Sequence, residues 1–284
     1  MDGSEGLTRF PLARRGIVMS GLISGFTLAI TTVEAQVIHT DTAGIMAGEV
    51  QIPTTGGNMP GYYAKPQGAG PFPTILVNEE IFGVHEHIKD LCRRLAKVGY
   101  LAVAPEIYAR EGDLSTMTDV GQIVSQVINK TPDADVFTDL DNAVAWAGKN
   151  GGDLGRLGVT GFCRGGRNTW FYDAHNAQVK AAVAWYGPIK GATSDIQPKT
   201  VMDIADQIHA PLLGLYGGKD TGIDVADVQA AAEKARKAGK TVEIHIYADA
   251  PHGFNADYRP SYRKADAEDG WQRMLAWFKQ HGVS

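Results

Sequence analysis

"VTGFCRGGRN", Val159–Asn168, sets a cysteine among glycines directly after an apolar run. A strand that enters Gly161-Phe162-Cys163-Arg164-Gly165 and leaves as a helix must turn sharply, and the flanking glycines relieve crowding in that turn. The side chain at the apex then stands above the edge of a sheet. It also sits at the N-terminus of the new helix, whose partial positive charge stabilises a thiolate. Glycine-rich joints between strand and helix are common, so the turn alone leaves Cys163 readable either as a nucleophile or as packing.

Outward from this turn, apolar strands alternate with amphipathic helices. Upstream, "GEVQIP" and "GYYAKP" predict two short edge strands joined by the turn-rich "TTGGNMP", and "PTILVNEE" predicts a buried strand ending in charge. "HEHIKDLCRRLAKVGY" sets Ile88, Leu91, Cys92, Leu95 and Val98 on one helical face. "YLAVAPEIYAR" is a strand stopped at Pro105, and "VFTDLDNAVAWAGKN" is a helix. Downstream, "AAVAWYG" and "APLLGLYGG" are further strands, and "DVADVQAAAEKARKAGK" is a helix closed by Gly239. "TVEIHIYADAPHGF" alternates and then turns into a loop, and "ADAEDGWQRMLAWFKQH" ends the chain as an amphipathic helix. Strands separated by helices predict an α/β fold with a mostly parallel central sheet flanked by helices on both faces. "GPIKGATSDIQPKTVMDIADQIH" lacks periodicity and reads as a lid or a long surface connection.

The totals agree with one such domain. The chain has 284 residues, 44% hydrophobic and 21% charged, with a net charge of −5 and no basic stripe that would suit nucleic acid. Two cysteines, Cys92 and Cys163, support neither a disulfide framework nor a cysteine-rich zinc site. Cys92 sits in the helical "DLCRRLAKV" and reads as a buried small hydrophobe. The N-terminus differs: "LARRGIVMSGLISGFTLAITTVEAQ" has the order of a twin-arginine export signal, with Arg14 and Arg15, an apolar run and a small-residue cleavage site ending at Ala35. Its glycines, serines and threonines argue against a stable membrane anchor. Residues 1–35 are therefore expected to be the signal, residues 36–284 a single domain, and the destination the periplasm. An uncleaved tail on a cytoplasmic protein is the alternative.

Later residues decide how to read Cys163. "LYGGKDTGID" exposes Asp220 after one strand, and "YADAPHGFN" exposes His252 after the last. Nucleophile, acid and histidine in that order, each at the carboxyl end of a strand, is the chain order of the α/β-hydrolase triad. Taken singly, Asp220 reads as the N-cap of the next helix and His252 as a turn residue. Together they give a mechanism in which His252 takes the Cys163 proton and Asp220 holds the imidazole tautomer. Backbone N–H groups of Arg164 and Ile81 are the expected oxyanion hole.

With those residues in hand, the sequence resembles the dienelactone hydrolase (carboxymethylenebutenolidase) family from about Gly48 to the C-terminus. The motifs are "EIFGVHEHIKDLCRRLAKVGYLAVAPEIYAR", "GFCRGG", "GGKD" and "PHGF". The resemblance implies an α/β-hydrolase fold with a Cys-His-Asp triad at Cys163, His252 and Asp220, and no cofactor. It also implies that Glu80 contacts the nucleophile and helps deprotonate it, and that Arg110 binds a substrate carboxylate. Glu80 as a solvated loop acid like Glu79 is the alternative. One departure stands out: Ala256 occupies the place of the family's second carboxylate-binding arginine, with Arg259 one turn of loop away. The expected substrate is a small, anionic ester or lactone, cleaved through a thioester acyl-enzyme. The alternatives are another acyl substrate (a thioester, small peptide or xenobiotic ester) or a redox-responsive binding protein that uses Cys163.

Other candidates weigh less. His85 and His87 lie two apart, a poor chelate on a helix, so a helix entrance is expected there rather than a metal site. His245 alternates with Ile244 and Ile246 and should be structural. Tyr108, Trp185 and Tyr186 end strands near the site and are candidates to line the acyl pocket. A monomer or homodimer is expected.

Overall fold

The computed structural model describes residues 37–284; the export signal expected over residues 1–35 lies outside them. Eight strands form one sheet: β1 (Ile45–Thr54), β2 (Gly57–Pro66), β3 (Phe72–Asn78), β4 (Leu101–Pro105), β5 (Gly152–Phe162), β6 (Ala181–Trp185), β7 (Leu212–Gly217) and β8 (Val242–Tyr247). Their order is β1-β2-β4-β3-β5-β6-β7-β8. β1, β2 and β4 pair antiparallel, and every pairing from β4 through β3 to β8 is parallel. The edge hairpin was expected from two short strands. Each is ten residues long, because Thr55 and a left-handed Gly56 suffice for the turn.

Among the described residues, five helices longer than ten residues follow the strands: α1 (Glu86–Lys97), α2 (Asp133–Lys149), α3 (Arg164–His175), α4 (Val225–Lys237) and α5 (Lys264–Gln280). β4, β6 and β7 are buried at every position, as is β3 from Pro73 onward. Both faces of the sheet are therefore covered, which is why these strands read as continuous apolar runs. α1 buries Ile88, Leu91, Cys92 and Leu95 as its pattern predicts, and burial pushes the Cys92 thiol up to about 12. Val98, expected on the same face, lies past the helix end and is exposed. α4 begins at Asp224, whose carboxylate accepts the Ala226 N–H at 2.8 Å, so Asp220 is not the cap of that helix.

The aperiodic stretch 187–209 is a fixed connection rather than a lid. Arg164 donates to Gln197 Oε1 at 2.8 Å, and Gln197 Nε2 donates to the carbonyls of Ile128 and Thr131 at 2.7 and 2.8 Å. Arg167 grips Asp133 with two bonds of 2.8 and 2.9 Å and also reaches the Lys199 carbonyl. Ile128 and Thr131 belong to a region of short helical turns (Leu114–Thr116, Val120–Gln122, Ile123–Val127 and Ile128–Lys130) for which the sequence showed no periodic signal.

Candidate active site

Register brings the chemistry together. Asn78 at the end of β3 pairs with Gly161, Phe162 with Trp185, Trp185 with Leu215 and Gly217 with Tyr247. The segments after β3, β5, β6, β7 and β8 therefore leave the sheet side by side at its carboxyl edge, the usual place for function in such sheets. Cys163 stands at the apex of the β5–α3 turn with φ 55° and ψ −119°, a conformation that costs a non-glycine residue about 1–3 kcal/mol. The flanking glycines make the turn possible. A Cβ on Gly161 would sit 2.2 Å from the Gly165 carbonyl, and one on Gly165 would sit 2.3 Å from the Asn78 carbonyl. The turn is closed by Gly166 N–H donating to the Cys163 carbonyl at 2.9 Å.

His252 Nδ1 lies 2.7 Å from Asp220 Oδ2. The other Asp220 oxygen accepts the N–H groups of Gly222 and Ile223 at 2.8 and 3.2 Å, which fixes the carboxylate. Nε2 of His252 is left for the Cys163 thiol. Burial works against the imidazolium, but hydrogen bonds to Asp220 and Cys163, with their charges, raise His252 to about 10. Among the described residues, neither the Ile81 nor the Arg164 backbone N–H has a recorded hydrogen-bond acceptor, and Arg164 directly follows Cys163.

Glu80 is brought to the site but not onto the thiol. Its carboxylate is wholly buried, accepts the Tyr258 hydroxyl at 2.5 Å and lies 3.3 Å from His85 Nε2. Burial opposes its ionisation, yet the His85 hydrogen bond and the charges of His85, His87 and Arg259 lower it to about 2. The contact with the nucleophile expected from the family resemblance is replaced by this clasp. Glu79 is no solvated acid either. It is fully buried, and burial together with the nearby Glu106 carboxylate pushes it well above the usual range.

Three of the expected substrate contacts are corrected. The Arg110 guanidinium is ion-paired with the buried Asp139 of α2, and no recorded contact joins it to the triad. Trp185 is completely buried between Phe162 and Phe254, and Tyr108 is buried with its hydroxyl accepting from Asn168 at 3.1 Å. Both are core rather than pocket wall. Of the expected aromatics, Tyr186 meets His252, its ring edge-on at 5.2 Å, with a positive φ of 37°. It too is fully buried.

His85 and His87 do not form a chelate. Their rings stack 6.1 Å apart, and each serves a different carboxylate: His85 binds Glu80, and His87 Nδ1 binds Asp257 at 2.9 Å. Among the described residues no cluster of three or more metal-binding side chains occurs, and no helix is long and apolar enough to cross a membrane. His245 packs on Tyr247, away from the triad, as its strand position predicts.

Sequence reasoning missed Tyr258 and undervalued Arg259. Ala256 is buried where the resemblance placed an arginine, and the Arg259 guanidinium turns back instead over Phe82 at 5.1 Å. Among the described residues it makes no ion pair or hydrogen bond, though it lies in the field of Tyr258, Glu80 and Cys163. The polar run "NADYR", which begins three residues past the histidine, was the available signal.

Comparison with known proteins agrees with this geometry. The model of the dienelactone hydrolase family matches residues 59–282. A protein of Methylorubrum extorquens named "Putative carboxymethylenebutenolidase" is 56% identical over 275 residues, spanning 96% of this chain and 94% of its own. One of the same name from Escherichia coli K12 is 53% identical over 260 residues, or 91% and 96% of the two chains. A crystal structure from Klebsiella pneumoniae, described as a putative dienelactone hydrolase, superposes with a TM-score of 0.81 at 54% identity, covering 83% of this chain and 99% of that one. The chain is an α/β-hydrolase and belongs to the dienelactone hydrolase family.

Proposed function

We propose that the protein hydrolyses small ester or lactone bonds, on substrates that carry an anionic group, through a thioester on Cys163. The observation that carries the reading is the 2.7 Å bond from His252 to Asp220, with Cys163 at the strained turn among the groups that raise the imidazole. His252 takes the Cys163 proton, and the Asp220 carboxylate, which helps raise His252 to about 10, favours that transfer. Sulfur attacks the acyl carbon, and the oxyanion that forms is held by the Ile81 and Arg164 N–H groups. Collapse breaks the acyl–oxygen bond, His252 gives its proton to the leaving oxygen, and an acyl-thioester remains. His252, now neutral, takes a proton from water as that water attacks the thioester. The acid departs, and the proton stays on the pair.

The Arg259 guanidinium supports an anionic substrate, because it is planar, permanently charged and, among the described residues, packs on the Phe82 and Tyr258 rings without a hydrogen-bond acceptor. It takes the role that the sequence assigned to Arg110. Carboxymethylenebutenolidase chemistry, a carboxylate-bearing lactone opened by hydrolysis, fits these requirements. Hydrolysis of p-nitrophenyl acetate by the wild type and by Cys163→Ala, Asp220→Ala and His252→Ala tests the reading. Loss in all three supports it, and equal rates in all four contradict it. We further propose export with cleavage after Ala35, on the order of charges and apolar residues at the N-terminus. Cell fractionation with N-terminal sequencing tests this.

A further inference from the structure

Glu80 is joined to the rest of the site in an unusual way. One oxygen, Oε2, accepts the Tyr258 hydroxyl at 2.5 Å and faces His85 Nε2 at 3.3 Å, while Oε1 has no protein partner. The His85 and Tyr258 rings pack edge to face with centroids 4.7 Å apart. Three segments converge on that one oxygen. Glu80 precedes Ile81 in the loop after β3, His85 leads into α1, and Tyr258 follows His252 in the loop after β8. A single carboxylate therefore ties the loop offering an oxyanion N–H to the loop carrying the base.

Other groups around Glu80 reinforce its charge rather than replace the clasp. His87 approaches from α1, where its own partner is Asp257. Arg259 comes from the last loop, and Tyr186 from beyond β6 lies in the field of both Glu80 and Cys163. Among the described residues, the only ion-pair partner of Glu80 is His85. Tyr258 remains a donor throughout the working range, because burial and the Glu80 charge drive its ionisation far up.

We propose that Tyr258 and His85 are positioning residues that latch Glu80 as a charged strut between the Ile81 loop and the His252 loop, so that the reactivity of Cys163 depends on the latch. The proposal rests on Cys163 being the reactive thiol, as argued above. Without the Tyr258 hydroxyl, a buried Glu80 is less well solvated by the protein, binds a proton more readily, and releases the strut when it does.

The test follows alkylation of Cys163 by iodoacetamide from about pH 4 to about pH 9, read by peptide mass spectrometry so that the buried Cys92 does not interfere. The proteins are wild type, Tyr258→Phe, Glu80→Gln, the double variant, His85→Gln and His85→Ala. Tyr258→Phe is expected to add an inflection between about pH 5 and pH 7 and to change the rate there by about threefold or more. The wild type, Glu80→Gln and the double variant lack that inflection. His85→Gln, which keeps an N–H donor, stays near wild type, and His85→Ala moves in the direction of Tyr258→Phe. Where an ester is turned over, kcat falls in Tyr258→Phe with KM nearly unchanged. A wild-type profile in folded Tyr258→Phe overturns the proposal, and so does an added inflection that survives in the double variant. If Tyr258→Phe does not fold, the contrast between His85→Ala and His85→Gln decides, and equal profiles overturn the latch. Alkylation reads the latch without any hydrolysis, so a wild type that cleaves no ester counts against the proposed function alone.

Discussion

Replacing Asp220 by asparagine keeps the shape of the acid and removes its charge. Asp220 Oδ2 accepts from His252 Nδ1 at 2.7 Å, and the N–H groups of Gly222 and Ile223 hold Oδ1. The rise of His252 from 6.5 to about 10 corresponds to roughly 5 kcal/mol of preference for the imidazolium, shared between Asp220 and Cys163. Burial alone pulls the other way. Losing the Asp220 share should therefore bring His252 down by about two pKa units or more and cost about a hundredfold to ten-thousandfold in kcat. The stability consequence has a definite sign. A folded pKa raised above the unfolded 6.5 contributes stability that is complete below 6.5 and is lost as pH rises through about 10. Urea unfolding of the wild type should thus weaken steadily across that window, and in Asp220→Asn the weakening should end about two pH units earlier. NMR titration of the His252 ring, alongside ester kinetics, reads both effects. A variant whose His252 still titrates near 10, or whose kcat falls less than tenfold, would refute the reasoning.

Further outcomes follow from the same geometry. Gly165→Ala places a Cβ about 2.3 Å from the Asn78 carbonyl and should destabilise the fold by at least about 2 kcal/mol, seen as a lower Tm or insoluble protein. Arg259→Ala should raise KM for a carboxylate-bearing lactone by about tenfold or more while sparing its methyl ester. Arg110→Ala, which breaks the Asp139 pair, should lower Tm and leave that discrimination intact. Glu80, held at about 2 against an ordinary 4.5, contributes stability that is present above 4.5 and lost as pH falls through about 2. Glu80→Gln should accordingly remove part of the acid-induced loss of stability, measured by urea unfolding between those limits.

The succession of strands and helices and the candidate residues Cys163, Asp220 and His252 were legible because they rest on local signals. Continuous apolar runs mark buried parallel strands, glycines mark the turn at Cys163, and loop residues after successive strands mark the acid and the histidine. Contacts across the site were not legible in the same way. Glu80 and Tyr258 are 178 residues apart, and nothing local says that their loops meet. The pair "EE" shows the limit well: Glu79 and Glu80 look alike in sequence, yet one is fully buried in the field of the Glu106 carboxylate and the other is clasped by Tyr258 and His85. Arg110 misled because the Asp139 carboxylate that takes its charge lies 29 residues further on, in α2. Tyr108 and Trp185 misled because an aromatic at the end of a strand serves equally as core or as pocket wall. Only the burial observed in three dimensions separates the two roles.

The central claim is that Cys163 sulfur carries the acyl group during turnover. Rapid acid quench of the enzyme mixed with p-nitrophenyl acetate, followed by peptide mass spectrometry, tests it most directly. An acetyl group on the Cys163 peptide, formed and lost as fast as turnover and absent from Cys163→Ala, is the predicted result. Turnover at the wild-type rate with that peptide unmodified, or with Cys163 replaced, would contradict the account.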